Sequence, residues 1–174
     1  MVSRSRRLAL ASLFGALIFL VLGFLQAPTS DFLIVVEALL LTLSFLLVPK
    51  GGATYVGAVS GILISLVKPA FFPYDLVFGV LYGLMIDALG NILRAKDGPK
   101  VRTARLVLAT TVSTGIVGLL AYYVTAVATN LVPNEFFLDL TVLLFGVGSG
   151  AVGGYVAVRV WNRNLKGRFE VTTQ

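Results

Sequence analysis

Six apolar runs occupy nearly the whole chain and leave only short polar connections between them. A helix needs about 20 apolar residues to cross the hydrocarbon core of a bilayer. With 57% apolar and 13% charged residues, the 174-residue chain would expose a large apolar surface in water. The sequence therefore predicts an all-α membrane protein with a single six-helix transmembrane domain over residues 1–174. The predicted spans are Leu8–Leu25, Phe32–Val48, Gly51–Val67, Pro73–Leu93, Ala104–Ala128 and Phe137–Trp161.

The basic residues predict the orientation of these spans. Cytoplasmic connections of membrane proteins are enriched in Lys and Arg. If the N-terminus is cytoplasmic, six crossings leave 13 of the 14 basic residues inside and only Lys68 outside. Both termini are thus expected in the cytoplasm. The formal charge of +6 follows from this topology and does not indicate a nucleic-acid partner.

Small residues recur at helical spacing in several spans. Pro49 to Gly52 predicts a tight cytoplasmic turn, because proline ends a helix and glycine adopts unusual dihedral angles. Beyond it, Gly57 and Gly61 lie four residues apart, as do Gly146, Gly150 and Gly154 in the sixth span. Small residues let membrane helices approach closely. Packing within the chain and docking of a partner both remain open for these faces.

Acidic residues lie near the predicted outer ends of the spans, together with aromatic ones. Glu37 lies roughly 8 Å into the second span at a rise of about 1.5 Å per residue. Carboxylates beside aromatic rings suit an organic cation, through charge attraction and cation–π contact. The alternative is an interfacial aromatic belt with solvated acids. The candidate substrate-binding residues are Glu37, Asp75, Tyr82, Tyr122, Glu135 and Asp139.

Asp87 differs because it lies in the cytoplasmic half of the fourth span. Ionisable groups inside a membrane serve as structural clamps or in transport coupling. A buried carboxyl group there is expected either to be protonated or to be held by hydroxyl and amide donors. Asn91 is one turn away on the same face, and Thr110 and Thr114 are at comparable depth. Both roles remain open at this stage.

The chain lacks the residues that several functional classes require. It has no His and no Cys, and it contains no phosphate-binding loop, dinucleotide-binding glycine pattern or hydrolase nucleophile motif. We therefore expect neither an enzyme nor a bound metal or cofactor. Any ATP-driven process would depend on a partner ATPase.

The segment "VPKGGATYVGAVSGILISLV" and the later "LYGLMIDALGNIL" carry a family resemblance. Together with six spans and small residues on the first helix, they resemble the substrate-binding S-component of an energy-coupling factor (ECF) transporter, nearest to the hydroxymethylpyrimidine and thiamine-related S-components. The resemblance implies a place in the cytoplasmic membrane of a prokaryote and capture of a vitamin or precursor from outside. It also implies two kinds of partner, a membrane coupling protein and a pair of ATPases. Docking is then expected on the first helix, through Ala11, Ser12, Gly15 and Ala16.

Two other functions are compatible with the residues. A self-contained transporter or channel would form a homo-oligomer through the face of Gly146, Gly150 and Gly154. A structural subunit without a ligand would leave all the outer acids solvated.

Overall fold

Helices form almost all of the fold. The computed structural model describes residues 4–24, 33–48, 50–97, 100–129 and 136–166. The six α-helices of this part are α1 (Arg4–Phe24), α2 (Ile34–Leu47), α3 (Gly52–Val67), α4 (Tyr74–Ile92), α5 (Thr103–Thr129) and α6 (Phe136–Val160). A 3₁₀ turn (Pro69–Phe71) precedes α4, a π-helical turn (Trp161–Leu165) follows α6, and two short strands, β1 (Lys96–Asp97) and β2 (Lys100–Val101), join α4 to α5.

Four of the six helices are long and apolar enough to cross a membrane: α1, α4, α5 and α6. The α2 and α3 helices have 14 and 16 residues. At about 1.5 Å per residue they are shorter than the roughly 30 Å hydrocarbon core. The helical fold of the prediction is thus confirmed for the described residues. Six complete crossings and the side on which the termini lie stay predictions.

The α2 helix is the centre of the bundle. It contacts each of the other five helices, and every residue from Leu40 to Leu47 is buried. Around it, α1 contacts α3, α3 contacts α4, α4 contacts α5, and α5 contacts α6. Because protein surrounds this half of α2, its side chains face other helices. The first turn, which contains Glu37, is only partly buried.

Glycines bring α3 and α4 into backbone contact. A Cβ at Gly57 would overlap the carbonyl group of Gly79, and one at Gly83 would overlap that of Ala53. The residues on this crossing therefore have no room for a side chain. Close packing within the chain accounts for this small-residue face.

The glycine face of α6 is also occupied within the chain. A Cβ at Gly150 would lie 2.6 Å from the Thr114 hydroxyl oxygen, and one at Gly154 would lie 3.1 Å from the Thr110 Cβ. Both threonines belong to α5, whose helix axis therefore lies close to that of α6. The face that sequence reasoning offered for a homo-oligomer is buried against α5 in this arrangement.

The Asp87 carboxylate caps the first turn of α3. It accepts hydrogen bonds from the Thr54 amide at 2.8 Å, the Thr54 hydroxyl at 2.6 Å and the Ala53 amide at 3.3 Å. The first amides of a helix have no partner within the helix and carry partial positive charge, so a carboxylate satisfies both needs. The expected donors, Thr110 and Thr114, bond elsewhere, to Thr42 and Tyr82. The geometry is that of a structural clamp.

The turn before α3 matches the sequence prediction in its described residues. Lys50 and Gly51 have φ angles of 68° and 80°. At the same end of the bundle, the connection from α4 to α5 forms a small hairpin in which β1 pairs with β2. Lys96 of this hairpin donates to the Leu46 carbonyl at 2.6 Å, and its ammonium lies 5.1 Å from the centre of the buried Trp161 ring. The hairpin is thus attached to α2 and to the end of α6.

Candidate functional site

A cavity of about 310 Å³ opens between the helices at the end opposite to the basic hairpin. Its lining comes from the end of α1, the start of α2, the end of α3, the start of α4 and the second half of α5. Because successive helices run in opposite directions, these segments share one end of the bundle. The lining residues are Leu22, Ile34, Glu37, Ser60, Gly61, Ile64, Lys68, Asp75, Phe78, Gly79, Tyr82, Thr114, Val117, Gly118 and Ala121.

Glu37 is the acidic group that the central helix presents to the cavity. Its carboxylate has no hydrogen bond or ion pair with the described residues, whereas the negative charge of Asp75 lies near enough to repel it. A carboxylate among packed helices is costly unless water, a proton or a counter-charge compensates it. The cavity is where such a partner would have to sit.

Asp75 supplies the second carboxylate, from the first turn of α4. Gly61 of α3 packs against this turn, since a Cβ there would lie 3.0 Å from both the Asp75 carbonyl oxygen and the Leu76 Cα. The Oδ2 atom of Asp75 is buried and accepts no hydrogen bond from the described residues. Two carboxylates with unused acceptor capacity therefore border one cavity.

Lys68 is the cation of this site. It follows α3, donates to the Leu22 carbonyl of α1 at 2.8 Å and attracts the Asp75 carboxylate. The titratable lining of Glu37, Asp75 and Lys68 thus has one more acidic group than basic groups. With both acids ionised, a monocation would neutralise it.

Tyr82 and Thr114 form a buried polar pair in the cavity wall. Their hydroxyl oxygens are 2.6 Å apart, and Thr114 also donates to the Thr110 carbonyl at 2.8 Å. Since a threonine hydroxyl has one hydrogen, Tyr82 is the donor in their bond. The pair joins α4 to α5, and the Phe78 ring one turn earlier on α4 adds an aromatic surface to the lining. Such a wall offers ring contact and a hydroxyl to a small organic ligand.

The structure brings together three of the six predicted substrate-binding residues: Glu37, Asp75 and Tyr82. Asp139 lies elsewhere, between α5 and α6, where it accepts a 2.6 Å hydrogen bond from the Tyr123 hydroxyl. The Tyr122 ring packs edge-on against Tyr123 at 5.6 Å, and neither Tyr122 nor Asp139 lines the cavity. Glu135 lies outside the described residues.

Sequence reasoning missed Lys68 and Ser60 as lining residues. A signal for Lys68 was present, because it is the one basic residue that the predicted topology leaves outside, among the acids. Ser60 carried no comparable signal, since it looked like one more small residue for helix packing. Among the described residues, no group of three or more His, Cys, Asp or Glu side chains could hold a metal ion.

The predicted docking residues on α1 are partly used inside the bundle. Ala11 is fully buried, and a Cβ on Gly15 would lie 2.7 Å from a methyl carbon of Val59 in α3. Ser12 shares a 2.8 Å hydrogen bond with the Tyr55 hydroxyl, also in α3, and Ala16 is partly exposed. A partner that contacted Ala11 or Gly15 would have to separate α1 from α3. Docking on α1 stays a prediction, with Ala16 its most accessible apolar position.

Comparison of the chain with protein-family models, curated proteins and solved structures gave no match.

Proposed function

We propose that the chain captures a small vitamin or vitamin precursor, of the thiamine or hydroxymethylpyrimidine type, as the S-component of an ECF-type importer. In this proposal six helices cross the cytoplasmic membrane of a prokaryote, with both termini inside and the cavity open to the outside. A coupling protein and two ATPase subunits would then drive release of the ligand into the cell.

The observation that carries the proposal is the pair of carboxylates, Glu37 and Asp75, on one cavity. Its volume of about 310 Å³ lies at the lower end of the range for small-molecule sites, about 300–1,000 Å³. An aminopyrimidine ring can stack on an aromatic side chain while its amino group and protonated ring nitrogen donate hydrogen bonds to carboxylates. Phe78 and the two carboxylates offer that combination.

The chain's own residues support a capture role in preference to catalysis. The cavity presents acids, a lysine, hydroxyls and an aromatic ring but no activated nucleophile with a neighbouring base. Selectivity would come from binding energy alone. Transport would require a partner for ATP hydrolysis, since the sequence has no phosphate-binding loop.

A thermal-stability screen tests the proposal on the purified chain in neutral detergent. Saturation at about 100 times Kd stabilises a protein by about 2.7 kcal/mol, which raises Tm by roughly 5–10 °C for a chain of this length. We expect such a shift with thiamine, which is a permanent cation, or with hydroxymethylpyrimidine, whose ring can take up a proton, and none with an anionic vitamin of similar size. High salt should decrease the shift only in part, because salt screens partly buried charges less than exposed ones.

Two variants make the screen specific for the cavity. Glu37→Gln keeps the shape of the side chain and removes its charge, so we expect at least tenfold weaker binding. Asp139→Asn removes an acid at the same end of the bundle but outside the cavity, and binding should be unchanged. Equal losses in both variants would place the ligand outside this cavity. No shift with any vitamin, together with a stable homo-oligomer, would favour the self-contained transporter or channel.

A further inference from the structure

Two adjoining cavities lie at the basic end of the bundle, away from the capture site. One, of about 460 Å³, is lined by Lys100, Val101, Arg102, Asn162 and Lys166. The other, of about 530 Å³, is lined by Thr103, Tyr155, Val158, Arg159, Asn162 and Arg163. Because Asn162 borders both, they form one groove between β2, the start of α5 and the end of α6. We call it the basic groove.

Helical spacing concentrates the positive charge of the basic groove. Arg159, Arg163 and Lys166 are separated by four and then three residues, which places them on one side of the α6 end and its π-helical turn. Lys100 and Arg102 approach from the hairpin. None of the described residues that line the groove is acidic. The described lining of the groove therefore contributes five basic side chains and no acidic one.

Membrane topology alone does not explain this arrangement. Enrichment of Lys and Arg on the cytoplasmic side predicts basic residues anywhere at this end. It does not predict that five of them line a concave surface together with an amide and a hydroxyl. Multiple cations with neutral donors such as Asn162 and Thr103 are the groups that bind phosphate oxygens.

The groove continues into an apolar face of α6. Tyr155 lines the groove and is 52% exposed, and Val152, one turn earlier, is 54% exposed. A phosphate in the groove would thus have an apolar helix surface directly beside it, running away from the basic end. A lipid offers both parts in one molecule, whereas a free phosphate uses only the first.

From this geometry we infer that the basic groove binds the phosphate of an anionic phospholipid, with its acyl chains along the outer face of α6. The inference rests on the membrane setting of the proposed function but not on the identity of the captured ligand. Basic pockets at the cytoplasmic ends of membrane helices are known to hold lipid headgroups.

The test measures lipid binding by native mass spectrometry of the purified protein in neutral detergent. The probes are dioleoyl phosphatidylglycerol, dioleoyl phosphatidylcholine with the same acyl chains, and inorganic phosphate or glycerol phosphate without them. We expect phosphatidylglycerol to bind at least tenfold more tightly than the other three. Equal binding of both lipids would overturn the inference, and free phosphate binding as tightly as phosphatidylglycerol would overturn the assignment to a lipid.

Charge-matched variants locate the site. Arg163→Gln with Lys166→Gln removes two groove charges, and each is expected to contribute about five- to sixfold, so affinity should fall roughly 30-fold. Lys50→Gln with Arg94→Gln removes two exposed charges at the same end but outside the groove, and affinity should stay within about twofold. If both pairs lose affinity equally, the binding is diffuse and the groove is not its site.

Two precautions keep the result interpretable. If the first double variant folds poorly, Lys100→Gln with Arg163→Gln takes its place. This pair removes one charge from each wall of the groove, and affinity should again fall roughly 30-fold. Vitamin-induced thermal shifts are measured on the same samples. The groove and the capture cavity share no lining residue, so the two proposals can fail separately. Absence of lipid binding with an intact vitamin shift would contradict only the lipid site. Absence of a vitamin shift with intact lipid binding would contradict only the capture site.

Discussion

Replacement of Asp87 provides the strictest test of how the bundle is held together. Asp87→Ala removes the acceptor of two short hydrogen bonds, both from Thr54, and of a longer one from the Ala53 amide. Hydrogen bonds to charged groups contribute about 1.5–3 kcal/mol each. Because the Thr54 hydroxyl can turn to another acceptor whereas the amides cannot, we expect a loss of about 3–4 kcal/mol in the free energy of unfolding.

Two milder substitutions separate the contributions to this loss of stability. Asp87→Asn keeps one carbonyl oxygen as an acceptor but loses the negative charge at the helix N-terminus, which predicts a loss of about 1–2 kcal/mol. Thr54→Val removes only the hydroxyl donor and predicts about 1 kcal/mol. The double change of Asp87→Ala with Thr54→Val should cost less than the sum of both, because the two side chains share one interaction.

The assay is equilibrium unfolding in mixed micelles, with helix content followed by circular dichroism as SDS is added. Asn91→Ala is the control, because Asn91 lies one turn further along α4 and is exposed. Its free energy of unfolding should change by less than about 0.5 kcal/mol. If Asp87→Ala is as stable as this control but transport is lost, the clamp is wrong and Asp87 acts in transport coupling.

Three further predictions concern packing and charge. Gly83→Val should prevent stable folding, because the new side chain would overlap the Ala53 backbone. The control Gly148→Val places its side chain in open space and should express and melt like the wild type. Equal behaviour of the two variants would contradict the close α3–α4 contact. Lys96→Met should lower the free energy of unfolding by about 1–2 kcal/mol, because Lys96 loses its contacts with the Leu46 carbonyl and the Trp161 ring. An unchanged SDS midpoint would show that these hairpin contacts do not contribute to stability. Lys68→Met should tighten binding of a cationic ligand on the order of fivefold in calorimetry, since it removes a like charge from the cavity; weaker binding would mean that the lysine contacts the ligand favourably.

The helices were largely predictable because polarity changes sharply at their ends. The predicted span Pro73–Leu93 compares with the helix Tyr74–Ile92, and Gly51–Val67 compares with Gly52–Val67. In an apolar environment the backbone must satisfy its own hydrogen bonds, so an apolar run of sufficient length becomes a helix. The first helix begins earlier than predicted, at Arg4, since a helix can continue into basic residues beyond the apolar run.

The arrangement of the helices was not predictable from the same pattern. Every run is apolar all round, so hydrophobicity does not reveal which face meets which neighbour. The central position of α2 and the attachment of Asp87 to the first turn of α3 depend on contacts between distant parts of the chain. For the same reason, selecting site residues by their type identified Glu37, Asp75 and Tyr82 correctly as cavity residues. It also included Asp139, which belongs to a separate cluster.

The position of Glu37 also bears on whether the outer acids are merely solvated. Glu37 lies in the first turn of α2, is partly buried, and belongs to the helix that contacts all five others. It lines the cavity, where Asp75 repels it and Lys68 is engaged with Asp75 and the Leu22 carbonyl. A cation bound there would relieve that repulsion and compensate the partly buried charge. Affinity should therefore depend on the charge of the ligand more than on its ring system, and a neutral isostere that bound equally well would refute this account of the site.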